Sequence, residues 1–243
     1  MTKLQIIQGD CLKHAPVERV FDMVFADPPD NIGLDYGAYD DRKPFDYYVS
    51  WLRDVLEAAT FFAPIVWVSF NAKYSAAFGG IVHDYLLTHS RWMYRACVQT
   101  FTFGQHNHKW LGNNHRPLWC IYREDAEFYP DAVRVESWRQ KNGDKRADPR
   151  GRVPGDVFDF TRVVGNSKQR RSWHPTQLNE GLVERCVLFS TPPGGSVLDM
   201  FAGTGTTLRV CQRLGRDCTG VEIDGDYCRH IREELKLGEH HVA

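Results

Sequence analysis

Apolar positions along this chain alternate between short continuous runs and helical periodicities. Leu4 to Ile7 reads as a short strand. Phe21 to Ala26 is a second apolar run, stopped by Pro28-Pro29, because a proline restricts the residue before it and removes a donor. Tyr48, Trp51, Leu52, Val55, Leu56 and Ala59 recur at the spacing of one helix face, which predicts an amphipathic helix. Ile65 to Phe70 reads as a buried strand, 73–87 as a helix, and 93–103 and 118–122 as strands. The pattern then fails. Residues 124–172 are polar, basic and punctuated by Gly and Pro, and are expected to form an insertion or mobile arm rather than sheet. Periodicity returns with a helix over 178–190, a strand from Ser196 to Met200 and a glycine turn from Phe201 to Gly205. A helix over 206–214, a strand ending at Val221-Glu222 and a last helix over 226–236 complete it. Strands alternating with helices imply a Rossmann-like α/β fold, a mostly parallel sheet with helices on both faces. Residues 1–123 and 173–243 would form that domain, and 124–172 the basic insertion. There is no internal repeat.

A length of 243 residues suits one domain with an insertion. A composition 42% hydrophobic and 25% charged excludes a disordered chain, collagen and a coiled coil. The longest mainly apolar run, Phe61 to Phe70, contains Pro64 and is half of the roughly 20 residues a membrane span needs. The start, Met1-Thr2-Lys3-Leu4, lacks an apolar signal segment, so a cytoplasmic location is expected. Seven cysteines, at 11, 97, 120, 186, 211, 218 and 228, include no C-x-x-C pair, which argues against a disulfide framework or a zinc site. His106, His108 and His115 have no cysteine or acid close by, so no metal is expected; His240-His241 is expected to be a disordered tail. The net charge of −1 conceals an asymmetry. Arg134 to Arg171 holds eleven Lys/Arg against five acids, a net of +6, which leaves −7 elsewhere. A basic segment in an acidic protein suits a polyanion, or a solvated loop.

Two motifs carry chemistry. In Ser196-Val-Leu-Asp-Met-Phe-Ala-Gly-Thr-Gly-Thr-Thr207 a strand enters a Gly-x-Gly turn and then a helix. The glycines admit a ligand close to the backbone, and the helix N-terminus offers free N–H groups. Glu222, 17 residues beyond Gly205 at the end of the next strand, is placed to hold ribose hydroxyls. Leu208 stands where a dinucleotide fingerprint needs a third glycine, so a single nucleoside such as S-adenosylmethionine fits better than a nicotinamide. The second motif is Asp27-Pro28-Pro29-Asp30, directly after a strand. A carboxylate and rigid carbonyls there can accept both N–H bonds of an exocyclic amine and so localise its lone pair for attack on a methyl group. Each motif alone also reads as an ordinary turn.

Together these segments resemble the beta class of DNA amino-methyltransferases, which methylate adenine N6 or cytosine N4. The resemblance rests on Gly9-Asp10-Cys11, Asp27-Pro-Pro-Asp30-Asn31-Ile32-Gly33, Trp173-His174-Pro175-Thr176-Gln177-Leu178 and the run Leu198 to Thr207 with Gly220-Val221-Glu222. It spans nearly the whole chain. The catalytic block precedes the cofactor block by about 170 residues, the permuted order that distinguishes this class from similar glutamine and RNA methyltransferases. The resemblance implies a class I methyltransferase fold, S-adenosyl-L-methionine as cofactor and double-stranded DNA as partner, with a homodimer as a further expectation. It implies that Asp10 contacts the cofactor's adenine, that Glu222 binds its ribose, and that Asp199, Phe201, Ala202, Gly203, Thr204 and Gly205 line its pocket. His174, Gln177 and Thr206 would lie near the methionine moiety. Asp27 would bind the target amine and touch the cofactor's ammonium. Arg139, Lys141, Lys145, Arg146, Arg150, Arg152, Arg170 and Arg171 would bind DNA. Adenine is favoured over cytosine because the block begins with Asp rather than Ser.

One position departs. The family carries an aromatic residue where this chain has Asp30, and stacking of that kind is worth about 1–3 kcal/mol per base. Either Tyr36 or Tyr39 replaces the ring, or Asp30 alters base preference, or the site is weak or inactive and the protein only binds DNA.

Overall fold

The structure is a computed structural model that describes residues 2–15, 20–102 and 108–238; His106 and His240-His241 lie outside them. In chain order, β1 (Leu4–Gln8) leads to the one-turn helix α1 (Cys11–His14) and to β2 (Met23–Ala26). The two-residue strands β3 (Asp35–Tyr36) and β4 (Tyr39–Asp40) precede α2 (Phe45–Phe62), β5 (Ile65–Ser69) and α3 (Ser75–Thr88). Next come β6 (Trp92–Thr100), β7 (His115–Arg123), the short α4 (Trp138–Lys141) and β8 (Val157–Asp159). The chain closes with α5 (Glu180–Ser190), β9 (Ser196–Asp199), α6 (Thr206–Leu214), β10 (Asp217–Glu222) and α7 (Gly225–Leu235).

Eight strands form one sheet in the order β1-β10-β9-β2-β5-β7-β6-β8. The first five are mutually parallel, β7 runs antiparallel to β5 and β6, and β8 pairs parallel with β6. The alternation of each strand sorts its side chains into two cores. Val24, Ala26, Val66 and Val68 meet Leu52, Val55, Leu56 and Phe78 from α2 and α3 on one face. Met23, Phe25, Ile65 and Trp67 meet Val183, Val187, Leu208 and Ile231 from α5, α6 and α7 on the other. Each Val, Leu, Ile, Phe or Met side chain so buried contributes about 1.5–3 kcal/mol. The class I methyltransferase architecture expected from the sequence is present.

The segment 124–172 corrects the reading that it contains no sheet. Val157–Asp159 extends the main sheet, and Phe158 and Val163 are buried. Phe158 packs edge-on against Trp67 at 5.7 Å. A strand with one buried position has no period to read, so only tertiary packing reveals it. The remainder of the segment makes its own turn structure: Ser137 and Gln140 form a capping box around α4, and Arg134 donates to the Gly151 carbonyl at 2.7 Å. α1 and the β3–β4 hairpin were also not expected, being too short to show periodicity.

Candidate active site

The parallel strands β1, β10, β9 and β2 are adjacent and point the same way, so their C-terminal ends open at one edge of the sheet. Open α/β sheets bind ligands at that edge. The register sets Gln8 beside Glu222 and Phe25 beside Asp199, so the residues just past each strand, Asp10, Asp27 and the glycine turn, emerge side by side. A cleft of about 990 Å³ lies there. Asp10, Asp27, Pro28, Pro29, Asp30, Tyr36, Tyr39, His174, Gln177, Asp199, Phe201, Ala202, Gly203, Thr204, Thr206 and Glu222 all line it. The two motifs, about 170 residues apart in sequence, thus line one cleft from neighbouring strand ends.

On the glycine side, Gly203 has φ +50°, and a Cβ there would stand 3.2 Å from His174 Nε2. Gly205 caps α6 with φ +74° and lies against Ile231 rather than lining the cleft. A side chain at either position would be strained, and at Gly203 would intrude on the histidine. Glu222 accepts from the backbone N–H of Gly203 at 2.8 Å and of Asp224 at 2.9 Å. Burial nonetheless pushes its carboxyl up from 4.5 to about 7. Asp199 is buried and accepts from Phe201 N at 3.0 Å, shaping the start of the turn, with its carboxyl pushed up by burial to about 6. Asp10 caps α1 through Leu12 N at 3.0 Å. His174 places Nδ1 2.5 Å from the Thr176 carbonyl. With the proton on Nδ1 this contact is a hydrogen bond to the carbonyl and Nε2 is left as an acceptor; the Thr176 N–H also lies 3.3 Å from Nδ1. Burial lowers its pKa to about 4, so the ring is neutral at pH 7.

The Asp27-Pro-Pro-Asp30 turn is held from three directions. Tyr48 of α2 donates to the Pro29 carbonyl at 2.5 Å. The residues that follow are gathered by Asp41, whose buried carboxylate accepts from the N–H groups of Asn31, Ile32, Gly33 and Leu34 at 2.7–3.0 Å. Asn31 sits at φ +52°, and its amide bonds the Lys43 carbonyl and Tyr74 OH, each at 2.9 Å. Third, Arg116 of β7 reaches across the sheet. Its Nη2 donates to Asp27 Oδ1 at 2.8 Å, its Nη1 to Asp30 Oδ2 at 2.9 Å, and its Nε to Ser69 Oγ at 2.6 Å. Asp30 Oδ1 is buried and accepts no hydrogen bond, although Nη1 is 2.9 Å away. Burial and the neighbouring Asp30 push the Asp27 carboxyl up, and Arg116 opposes them.

Sequence reasoning missed Arg116, Asp41 and Tyr48. For Arg116 a signal existed: it shares a strand face with buried Leu118 and Cys120, and an arginine in such a row requires acidic partners.

Tyr36 and Tyr39 belong to the β3–β4 hairpin, which forms part of the cleft wall. Tyr36 is buried, its hydroxyl 3.5 Å from Thr176 Oγ1 and its ring 5.6 Å from that of His174. The hairpin docks on the N-terminus of α7, where Asp224 Oδ2 accepts from Ala38 N at 3.0 Å. Gln177 lines the cleft but spends its side chain on loop structure, accepting from Arg171 N and donating to the Gln169 carbonyl. Arg170 and Arg171 do not line it. Arg171 is bound to Glu234 of α7. Arg139, Arg146 and Arg152 line a separate hollow with Trp138. Arg146 and Arg150 form exposed ion pairs with Asp144 and Asp148. Among the described residues no group of three His, Cys, Asp or Glu is arranged to hold a metal, and no helix is long and apolar enough to cross a membrane.

The family model N6_N4_Mtase, described as DNA methylase, matches residues 21–233. The DNA adenine methyltransferase YhdJ of Escherichia coli (strain K12) is 32% identical, over 98% of this chain and 84% of its own length. The solved PvuII DNA methyltransferase (cytosine-N4-specific) superposes with a TM-score of 0.69 at 14% identity, over 100% of this chain and 89% of its own. The M1.HpyAVI–SAM complex does so with a TM-score of 0.64 at 16% identity, over 96% and 100%. The last two speak to fold alone. Through the family model and the YhdJ match, the chain belongs to the DNA methylase family, S-adenosylmethionine-dependent enzymes that methylate adenine N6 or cytosine N4.

Proposed function

We propose that this protein methylates the exocyclic amine of a base turned out of duplex DNA, adenine N6 rather than cytosine N4, at a specific sequence. The observation that carries this reading is the adjacency of the two turns: Asp27-Pro-Pro-Asp30 and the glycine turn leave neighbouring parallel strands and face one cleft.

The residues on the glycine side fit the methyl donor. Gly203, whose Cβ would press on His174, lines the cleft without a side chain, and Glu222 and Asp10 offer acceptors at the adjoining strand ends. When bound, S-adenosylmethionine supplies an electrophilic methyl group on sulfonium. Asp27 and the rigid Pro28 carbonyl accept the two amine N–H bonds, which disfavours delocalisation of the lone pair into the ring and orients it. Reaching Asp27 requires the base to leave the stack. Tyr36, in the cleft wall, supplies the aromatic contact that Asp30 does not. Adenine is supported by the Asp that opens the block and by the adenine-specific name of YhdJ. The basic stretch within 124–172 is the candidate phosphate-gripping arm, and a homodimer acting in the cytoplasm is the accompanying expectation.

Incubating varied duplexes with labelled S-adenosylmethionine and digesting to nucleosides tests this. N6-methyladenine is expected; N4-methylcytosine would overturn the base assignment, and label only on RNA or protein would overturn the substrate. Asp30 motivates a second reading, a weak or inactive enzyme that binds DNA on this scaffold. Tight DNA binding without label, with activity gained in Asp30→Tyr, would establish it.

A further inference from the structure

The departure at Asp30 is accompanied by a cation. Where the family's resemblance leads to an aromatic side chain, this chain has a carboxylate, and Arg116 from β7 meets it. The guanidinium is divided three ways: Nε to Ser69 on β5, Nη1 to Asp30, and Nη2 to Asp27. The side chains of Arg116, Asp27 and Asp30 are 21%, 23% and 11% exposed, so the three charges interact with little screening. A planar fork tied to two fixed carboxylates and a strand hydroxyl has little freedom to turn.

We propose that Arg116 and Asp30 work as one unit that positions Asp27: Arg116 fixes the orientation of the Asp27 carboxylate by binding Oδ1, and Asp30 draws off part of the arginine's charge so that Asp27 remains a strong acceptor for the target amine.

The argument is one of orientation and charge balance. An aspartate left to rotate at the end of a strand would lose in-line geometry, and a lone arginine on Asp27 would compete with the incoming N–H for its lone pairs. Asp30 resolves the second difficulty. It occupies Nη1 and leaves the triad at a net charge of −1, favourable to the partial positive charge that grows on the attacking nitrogen. Asn71 Nδ2 donates at 3.5 Å to the same Asp30 Oδ2 that Arg116 binds. Among the described residues, the charged or titratable groups facing Asp27 are Asp30 in its own turn, Arg116 from β7, Asp199 from β9 and Tyr36 from the hairpin. Of these, Arg116 alone is a cation.

This inference rests on the methyltransferase reading, and its test separates the two. Carboxyl NMR of the substrate-free protein, with Asp27→Asn to assign the signal, reads the ionisation of Asp27 without any turnover. Arg116→Gln should raise the Asp27 midpoint and Asp30→Asn should lower it, each by about one pH unit. In the methylation assay the acid limb of kcat should move the same two ways. Arg116→Lys, which keeps the charge and loses the fork, should leave the limb close to wild type. It should still reduce kcat about 100-fold, the cost of a misoriented group, with KM for DNA changed less than threefold. A purely structural role would not move the limbs in opposite directions. If Arg116→Gln does not fold, Asp30→Asn decides alone, and an unmoved Asp27 midpoint overturns the proposal. Active wild type with unshifted variants overturns this inference alone. Wild type that labels no DNA overturns the activity, while opposite shifts in the NMR midpoints would still uphold the charge coupling.

Discussion

Glu222 meets the cleft with each oxygen already accepting one backbone N–H and one lone pair to spare. Burial pushes its carboxyl up to about 7, whereas a ribose diol that donates through both hydroxyls is held best by the ionised form, whose two oxygens both accept. Cofactor binding should therefore weaken as pH falls below about 7, and below that pH binding should take place with proton release. Calorimetry in buffers of different ionisation enthalpy from pH 5.5 to 8.5 checks both; a flat affinity would remove Glu222 from the ribose site. Glu222→Gln should lose about 10- to 100-fold in affinity, the worth of charge-assisted hydrogen bonds, and flatten the profile. For stability the sign is opposite. The folded state holds this proton more tightly than the unfolded chain, so the contribution is complete below about 4.5 and lost as pH rises through 7. At Asp27 the expectation is simpler. Asp27→Ala should reduce methyl transfer by about 100- to 1000-fold, in the range seen when one preorganised polar group is removed. Arg116 retains Asp30 as a partner, so the thermal midpoint should stay within a few degrees; unchanged turnover would show that Asp27 takes no part.

At the scale of elements, the catalytic turn is made rigid from outside itself. Four consecutive N–H groups converge on the Asp41 carboxylate, which is only 2% exposed. Asp41→Ala would leave these donors unmet, and charged hydrogen bonds of this kind contribute about 1.5–3 kcal/mol each before relaxation. Loss of about 3 kcal/mol or more is expected by denaturant titration, with methyl transfer falling more than cofactor affinity. Equal loss of both would place Asp41 in general stability rather than in the turn. This organisation also explains what was legible beforehand. The tip of β2 and the glycine turn carry their signals within a dozen residues: an apolar strand, then a residue type that ends it. Asp41 lies ten residues beyond Asn31, and Arg116 some ninety beyond Asp27, on a strand whose antiparallel place beside β5 no local pattern dictates. The β3–β4 hairpin was illegible for the same reason. Two-residue strands have no period, and what anchors the hairpin, Asp224 against Ala38, is 186 residues away.

Across the whole molecule, charge divides between an acidic body and a basic stretch, and the structure refines which cations of that stretch are available. In Asp144-Lys145-Arg146 and Asp148-Pro149-Arg150 each aspartate accepts from both the backbone N–H and the guanidinium of the arginine two residues on. Among the described residues, Lys141 and Lys145 have no carboxylate partner. Exposed ion pairs are worth about 0–1 kcal/mol, so DNA phosphate can compete for the arginines, but each exchange leaves an aspartate facing the polyanion. The lysines carry no such penalty. Each phosphate contact contributes about 0.9 to the slope of log affinity against log salt on duplex DNA. Replacing Lys141 and Lys145 together with alanine should therefore lower the slope by about 1.8 and weaken binding most at low salt. Asp144→Asn with Asp148→Asn, which frees two guanidiniums and removes two negative charges, should strengthen binding and steepen the slope. Fluorescence anisotropy on a fixed duplex between about 50 and 250 mM salt, the range over which such contacts change affinity strongly, measures both. Opposite displacements would locate the phosphate grip in this arm; superimposable lines for all three proteins would move it elsewhere, with Lys13, Lys43, Lys73 and Arg162 among the cations that line the cleft next to be replaced.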